Sequence, residues 1–234
     1  MNVIEKYEVF DFAYKILNSN HALIGGCSGS GKSVVLNTII YAALTQPTTT
    51  LFYMIDVKRV ELSMYRNLPQ TLEYADTVQD AVRVLNNAVK LIETRYERMQ
   101  KKGLRKSDEC PVYVLIDEYA DLSMSDPSVN KLCQRISQIG RASNVHLIIC
   151  TQRPTAEVVK KTVAVNLETR LALRCMTAQD SRNILGVSGA EKLPKYGYGI
   201  LQHDGYNNQV QIPMMPDEDI MQLINYYTQQ AKRK

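Results

Sequence analysis

The 234-residue sequence contains no apolar run that approaches the roughly 18 residues needed to cross a membrane, and it does not begin with a secretory signal peptide. It has no internal repeat and no low-complexity linker, which excludes repeat architectures and disordered tethers. It has no tryptophan and only three phenylalanines, and no aromatic-rich surface stands out. This composition disfavours a specialised binder of single-stranded nucleic acid, which stacks bases on aromatic rings.

Disulfide frameworks and cysteine-rich metal sites are not indicated either. The five cysteines are scattered, odd in number and never arranged as CxxC. Several lie in or beside apolar segments, so we expect buried, reduced thiols in a cytoplasmic protein. The net charge of +4 is mildly basic and does not by itself require a nucleic-acid partner.

Apolar strand patterns alternate with helical patterns along the chain. This alternation predicts an α/β fold in one domain over residues 1–234, with a mostly parallel central sheet and helices on both faces. Predicted strands lie at 21–25, 51–56, 112–117, 145–150 and 170–175, with a hairpin within 198–212. Predicted helices cover 32–44, 77–102, about 127–139 and a segment from 217. Thr77 with Asp80, and Asp126 before Pro127, are typical of helix starts.

The segment GCSGSGKS matches the phosphate-loop pattern GxxxxGK[ST] in full, between an apolar strand and a helix. Glycines allow the tight winding that turns successive backbone N–H groups toward phosphate oxygens, and the helix N-terminus adds partial positive charge. We therefore predict an ATP site in which Lys32 bridges the β and γ phosphates and Ser33 ligates Mg²⁺. The predicted nucleotide-binding residues are Gly26, Cys27, Ser28, Gly29, Ser30, Gly31, Lys32 and Ser33.

Two adjacent acids end the predicted strand VYVLID, whose continuous apolar character indicates burial on both faces. Asp117 at the strand tip suits a carboxylate that holds Mg²⁺ through its water. Glu118 is placed to orient and deprotonate an attacking water. Adjacent acids at a buried strand end are costly unless a metal or a proton is involved, so the pair predicts hydrolysis as well as binding.

Four patches together resemble the motor domain of the FtsK/SpoIIIE family of DNA translocases. They are HALIGGCSGSGKS, MIDVKRVEL, ETRYERM followed by VYVLIDEYADL, and GRASNVHLIICTQRPT with NLETRLALRC and DSRNILGVSGAEKL behind it. They occur in the family's order over roughly residues 20–200. Joint matching of this kind is far more specific than a phosphate loop alone.

The resemblance implies a RecA-like P-loop fold, a homohexameric ring, ATP hydrolysis at subunit interfaces, and duplex DNA in the central channel. The sequence departs from the family at Val57, where proline is common. We also see no membrane anchor and no winged-helix domain after residue 234. A stand-alone motor from a mobile element or phage, or the excised core of a longer protein, fits this pattern. Type VII secretion motors and conjugative coupling proteins share several motifs and remain the alternative.

The polar residues at the two ends of the strand VHLIIC predict two separate roles. Gln152 follows the strand at its carboxyl end and is expected near the γ-phosphate as a sensor. Arg141 precedes the strand, so it is a candidate arginine finger for a neighbouring subunit's nucleotide. Arg170 and Arg182 are further candidates, and an ordinary surface arginine is the alternative at 141.

DNA contact is predicted from Lys160 and Lys161, in the loop before the strand RLALRC, with Arg59 as a weaker candidate. Lysines there would contact phosphates without reading sequence. Solvated lysines on a short helix are the alternative. Three functions remain open: an ATP-driven DNA translocase, a motor for protein export or conjugation, and a nucleotide-gated assembly module without hydrolysis. Glu118 disfavours the third, because a scaffold has no use for a general base.

Overall fold

A computed structural model describes residues 10–232 of the chain. Over this range eight strands form one sheet in the order β3-β2-β4-β5-β1-β6-β7-β8. The strands are β1 (His21–Gly25), β2 (Leu51–Ile55), β3 (Thr71–Ala75), β4 (Val112–Ile116), β5 (Val145–Thr151), β6 (Thr169–Leu173), β7 (Tyr198–His203) and β8 (Tyr206–Gln211). The first six are parallel, and β7 and β8 complete the sheet as an antiparallel hairpin. The predicted α/β class and mostly parallel sheet are confirmed.

Eight α-helices accompany the described strands. They are α1 (Asp11–Asn18), α2 (Lys32–Leu44), α3 (Val78–Lys102), α4 (Tyr119–Ser125), α5 (Pro127–Ile139), α6 (Lys161–Ala164), α7 (Ala178–Leu185) and α8 (Asp217–Lys232). Helices α1, α2 and α8 pack on one face of the sheet, and α3 to α7 pack on the other. In the part of the chain that the structure describes, no helix is both long and apolar enough to span a membrane.

The central strand β4 shows why its sequence is continuously apolar. Tyr113 and Leu115 enter the core beneath α1, α2 and α8, whereas Val112, Val114 and Ile116 enter the core beneath α3 to α5. Successive side chains of a strand point to opposite faces, so a strand covered on both sides needs apolar residues throughout. Burial on both faces is confirmed.

The predicted helix starts are also confirmed. The Thr77 side chain accepts a hydrogen bond from the backbone N–H of Asp80 at the start of α3. The Asp126 carboxylate accepts one from the N–H of Ser128, with Pro127 as the first residue of α5. Each contact satisfies a backbone donor that the helix cannot pair internally. The five cysteines are free, and Cys133, Cys150 and Cys175 are buried.

The parallel strands place their outgoing loops at one edge of the sheet. We call this the carboxyl edge: the segments that follow β1, β2, β4, β5 and β6. Strand β5 lies between β1, which leads into the phosphate loop, and β4, which ends at Asp117. The opposite side, where these strands begin, is called the amino edge. Ligands of open α/β sheets bind at the carboxyl ends of strands, so the carboxyl edge is where a site is expected.

Candidate nucleotide site

The phosphate loop, residues 26–33, joins β1 to α2 and is wound by its glycines. Gly29 and Gly31 have φ angles of 69° and 101°, a region that other residues rarely adopt. A Cβ atom on Gly26 would lie 2.9 Å from Cβ of Leu173 and 2.6 Å from Oγ of Ser30. Gly26 is therefore required for space, whereas Gly29 and Gly31 are required for backbone conformation.

Lys32 is folded back onto this loop. Its Nζ donates hydrogen bonds to the carbonyl oxygens of Gly26 at 2.9 Å and Cys27 at 3.0 Å. Burial lowers the pKa of Lys32, and the nearby groups Cys150 and Glu118 partly oppose that shift. The ammonium thus lies inside the loop, held by neutral acceptors that phosphate oxygens could replace.

A buried hydroxyl of the loop lacks a partner. Ser30 is 2% exposed and its Oγ has no hydrogen-bond partner. A buried polar atom without a partner is costly unless a ligand or water supplies one. This unsatisfied hydroxyl is the observation in the loop that points most directly to a bound anion.

Asp117 and Glu118 follow β4 directly and both side chains are buried, with exposed fractions of 7% and 3%. The pKa of Asp117 is raised to about 7 because burial disfavours its charged form and the carboxylates of Asp56 and Glu61 repel it. The two acids predicted from the sequence therefore lie at the carboxyl edge in a strongly negative, poorly hydrated environment.

The carboxylate of Glu118 is held on both oxygens. Its Oε1 accepts hydrogen bonds from the hydroxyl of Thr151 and the backbone N–H of Gln152, each at 3.1 Å. Its Oε2 lies 3.4 Å from Nζ of Lys58, which also lies 3.3 Å from the carboxylate of Asp121. The acid that follows β4 is thus held by two contacts from the end of β5 and one from the segment after β2.

The side chain of Gln152 is exposed at the carboxyl edge, where it lines a small cavity together with Gly26 and Cys27 of the phosphate loop. Because β5 runs beside β1, the end of β5 is brought to the loop. Its role as a phosphate sensor stays a prediction.

Arg141 lies at the amino edge, before β5. Strand β5 has seven residues, so the two edges are separated by about 20 Å at 3.3 Å per residue. Arg141 is exposed and lines a cavity of about 350 Å³ with Lys106, His146 and Glu168. It is therefore remote from its own phosphate loop, as predicted. Whether it serves a neighbour stays a prediction.

The two other candidate arginines differ in their surroundings. The guanidinium of Arg170 donates to the carbonyl oxygens of Ala164, Leu167 and Ile184 at 2.9 to 3.1 Å. Through these contacts, Arg170 joins β6 to the flanking helices α6 and α7. Arg182 is exposed on α7.

The DNA-contact candidates are on the surface. Lys160 and Lys161 are exposed at the start of the short helix α6. Arg59 is also exposed and forms an ion pair with Asp76 at 3.4 Å. The structure places these cations where a phosphate could reach them, and contact with DNA stays a prediction.

An apolar cavity of about 540 Å³ adjoins the phosphate loop. The loop residues from Gly29 to Ser33 form one wall, and Val34, Tyr196, Ile212 and Met214 contribute apolar surface. A flat heteroaromatic ring is the kind of group that such a surface holds by stacking and burial. Sequence reasoning missed this wall, because the segment that supplies it lies about 180 residues beyond the loop.

Ser33 and Asp117 supply a hydroxyl and a carboxylate, and hard oxygen donors of this kind suit Mg²⁺. Among the described residues, no group of three or more His, Cys, Asp or Glu side chains could hold a metal alone. Mg²⁺ bound with a nucleotide takes few protein ligands and completes its shell with phosphate oxygens and water. The raised pKa of Asp117 indicates that a cation beside it would be favourable. Such an ion, when bound, would neutralise phosphate charge.

Three residues of this site were not predicted from the sequence: Asp56, Lys58 and Thr151. Asp56 is fully buried, one oxygen accepts from the N–H of Leu62 at 2.9 Å, and the other is unpartnered. The available signal was local, because polar residues follow β2 immediately just as they follow β4. What the sequence did not show is that β2 lies next to β4.

The fold and the loop define a nucleotide-binding domain of the P-loop class, with one strand inserted between the phosphate-loop strand and the acidic strand. The sequence model of the FtsK/SpoIIIE family matches residues 2–110 and 106–156. The chain belongs to the FtsK/SpoIIIE family, and the resemblance stated from its motifs is confirmed.

Curated relatives agree with this assignment. The chain is 33% identical over 237 residues to a protein named DNA translocase FtsK from Staphylococcus epidermidis, covering 91% of this chain and 30% of the relative. It is 35% identical over 239 residues to the protein of the same name from Oceanobacillus iheyensis, with the same coverage. The chain therefore spans about a third of the length of these relatives.

Solved structures share the fold. The conjugation coupling protein TcpA of pCW3, in a monomer form with ATPγS, superposes with a TM-score of 0.81 at 23% identity, over 92% of this chain and 66% of that one. The cytoplasmic domain of the type VII secretion ATPase EccC from Thermomonospora curvata superposes with a TM-score of 0.71 at 19% identity, over 89% of this chain and 28% of that one.

Proposed function

We propose that this chain is the ATP-hydrolysing motor domain of a DNA translocase, acting in the cytoplasm as a ring around duplex DNA. The observation that carries the proposal is the juxtaposition of a wound phosphate loop, with Lys32 inside it, and the buried, oriented carboxylate of Glu118. Relatives at least 33% identical are named DNA translocases, whereas the conjugation and secretion neighbours are under 25% identical.

In the proposed reaction, backbone N–H groups of the phosphate loop and Lys32 bind the triphosphate, and the cavity beside Tyr196 takes the base. Glu118 accepts a proton from a water whose oxygen attacks the γ-phosphorus. The bond between that phosphorus and the β,γ-bridging oxygen breaks, and its electron pair leaves with ADP. Gln152, beside the loop, would sense the γ-phosphate. Ser33 and Asp117 would hold Mg²⁺, which would supply charge neutralisation.

The proposal is tested by ATP turnover with and without duplex DNA. We expect DNA to stimulate hydrolysis and the stimulation to fade between low and moderate salt, because phosphate contacts through Lys160 and Lys161 release counterions. Glu118→Gln should retain ATP binding and lose about 100-fold or more of turnover. The control Glu93→Gln, an exposed acid on α3, should match the parent. Turnover indifferent to duplex DNA would instead favour a protein-export motor.

The ring and the role of Arg141 need a test of their own. Arg141→Ala should bind ATP and lose turnover, because an arginine supplied by a neighbour stabilises the transferring phosphoryl group by about 10³–10⁵ in rate. Mixing it with Glu118→Gln should restore part of the activity, because some interfaces then combine an intact Arg141 with an intact Glu118.

The control for the mixing experiment is Arg135→Ala, an exposed arginine on α5, which should retain parent turnover. Native mass measurement with ATP reports the assembly directly. A monomer that turns over ATP at the parent rate, or an active Arg141→Ala ring, would disprove the trans arrangement.

A further inference from the structure

Lys58 links two carboxylates at the carboxyl edge. It lies three residues after the end of β2, and its Nζ is 3.4 Å from Oε2 of Glu118 and 3.3 Å from Oδ2 of Asp121. Glu118 is 3% exposed, whereas Lys58 and Asp121 are partly solvated. The ammonium therefore reaches from the surface into the site and contacts the acid that the proposed reaction uses as its general base.

Hydrogen bonds to Asp56 hold the turn that carries Lys58 in place. The carboxylate of Asp56 accepts the N–H of Leu62 at 2.9 Å, and the carbonyl of Asp56 accepts the N–H of Arg59 at 3.1 Å. Arg59 has a φ of 60°, which a residue other than glycine adopts only when its surroundings impose it. Its side chain pairs with Asp76. The backbone of this turn thus directs the side chain of Lys58 toward Glu118 and the side chain of Arg59 toward Asp76.

The contacts of Glu118 divide between its two oxygens. Oε1 receives the Thr151 hydroxyl and the Gln152 N–H, while Oε2 faces Lys58. A buried carboxylate surrounded by other acids requires a compensating cation if it is to stay charged and oriented. The other lysine of the site, Lys32, is bonded to the phosphate loop, so Lys58 is the cation that contacts Glu118 among the described residues.

We propose that Lys58 is a positioning residue for Glu118: its ammonium, braced by Asp121, fixes the direction in which the carboxylate presents itself to the attacking water. This inference rests on the proposed function, because it assigns Glu118 as the general base. Lys58 would act through Glu118, since β4 and β5 lie between β2 and β1, the strand that leads into the phosphate loop.

The first test compares Lys58→Met with the parent in steady-state ATP hydrolysis. A small displacement of a catalytic group can cost about 100-fold in rate, so we expect kcat to fall by about 10- to 100-fold while the KM for ATP and the affinity for ATPγS change by less than about 3-fold. Lys58→Arg should recover much of the loss. The control Lys102→Met removes another lysine that is ion-paired, to Asp108 at 3.0 Å, and should leave turnover unchanged.

Epistasis separates positioning from a general structural effect. In the Glu118→Gln background, Lys58→Met should cause no further loss of turnover, because the group it positions is already absent. Asp121→Asn should lower kcat in the same direction as Lys58→Met but by less. If Lys58→Met does not fold, Lys58→Arg and Asp121→Asn still decide the question.

Several results would overturn the inference. Parent-like kcat in Lys58→Met shows that the ion pair has no catalytic role, and increased turnover shows that Lys58 restrains Glu118. A large loss of ATPγS affinity shows that Lys58 contacts nucleotide. If the parent itself lacks ATPase activity, the proposed function fails. In that case, a double-mutant cycle of Lys58→Met and Glu118→Gln, measured on the free energy of unfolding, tests the ion pair alone. Additive effects of the two substitutions would show that Lys58 and Glu118 do not interact.

Discussion

Removing the charge of Asp117 should stabilise the nucleotide-free protein, although Asp117 belongs to the predicted active site. The carboxyl group is 7% exposed, and its pKa is raised from 3.8 to about 7 by burial and by neighbouring acids. At pH 8 the folded state must hold this group ionised, which costs about 4 kcal/mol relative to the unfolded chain, at 1.36 kcal/mol per pKa unit. Asp117→Asn keeps the shape and removes that cost.

The sign of the pH dependence follows from proton binding. Between pH 4 and pH 7 the folded state holds a proton on Asp117 that the unfolded state has lost, so the contribution of this group to stability decreases as pH rises through that window. At pH 5.5 the cost is only about 2 kcal/mol. The difference in the free energy of unfolding between Asp117→Asn and the parent should therefore decrease by about 2 kcal/mol on going from pH 8 to pH 5.5.

The assay is urea unfolding of both proteins at the two pH values, in EDTA and without nucleotide. Comparing the variant with the parent cancels the titration of groups common to both. The same measurement with Mg²⁺ and ATPγS should reverse the order, because the parent gains a ligand that the variant holds poorly. A variant that is less stable than the parent at pH 8 without Mg²⁺, or a stability difference that does not depend on pH, would show that ionised Asp117 does not destabilise the folded state.

Three further substitutions probe other parts of the structure. Gly26→Ala should fold but lose most nucleotide affinity, measured by ATPγS titration, because its Cβ would press on Leu173 at 2.9 Å and displace the loop; unchanged affinity would contradict this. Arg95→Met should lower the free energy of unfolding in urea by about 3 kcal/mol or more, since this 2%-exposed side chain pairs three backbone carbonyls; a loss under 1 kcal/mol would be inconsistent. Tyr196→Ala should raise the KM for ATP about 10-fold at constant kcat if the base stacks there, whereas the exposed control Tyr206→Ala should have no effect.

Most regular elements were predictable because their signals are local. The apolar strands β1, β4 and β5 are buried on both faces, so their composition alone marks them. The edge strand β3 was missed: Leu72 is exposed and only Ala75 is buried, so the segment has little apolar signal and forms a strand by pairing with β2. Helices α1, α4 and α7 were missed because each has only seven or eight residues.

The site was predictable to the extent that its residues are contiguous. The phosphate loop and the Asp117–Glu118 pair are each adjacent in sequence, so their chemistry shows in the motif itself. Lys58 and Thr151 lie 60 and 33 positions from Glu118, and both touch its carboxylate only because β2 and β5 flank β4. The number of residues between two positions in the sequence does not reveal which strands lie next to each other in the sheet.

The family and the fold class could be read from the sequence alone, and so could the prediction of which residues handle phosphate, because a glycine-rich loop and an acid at a buried strand tip are local features. How those residues are held depends on contacts between segments that are distant in the sequence, and these contacts appear only in the folded structure. It placed Arg141 at the edge away from its own phosphate loop and bonded Arg170 to three backbone carbonyls. It also brought Lys58, which follows β2, against Glu118, which follows β4. These facts depend on which strands lie side by side, and packing of the whole sheet sets that order.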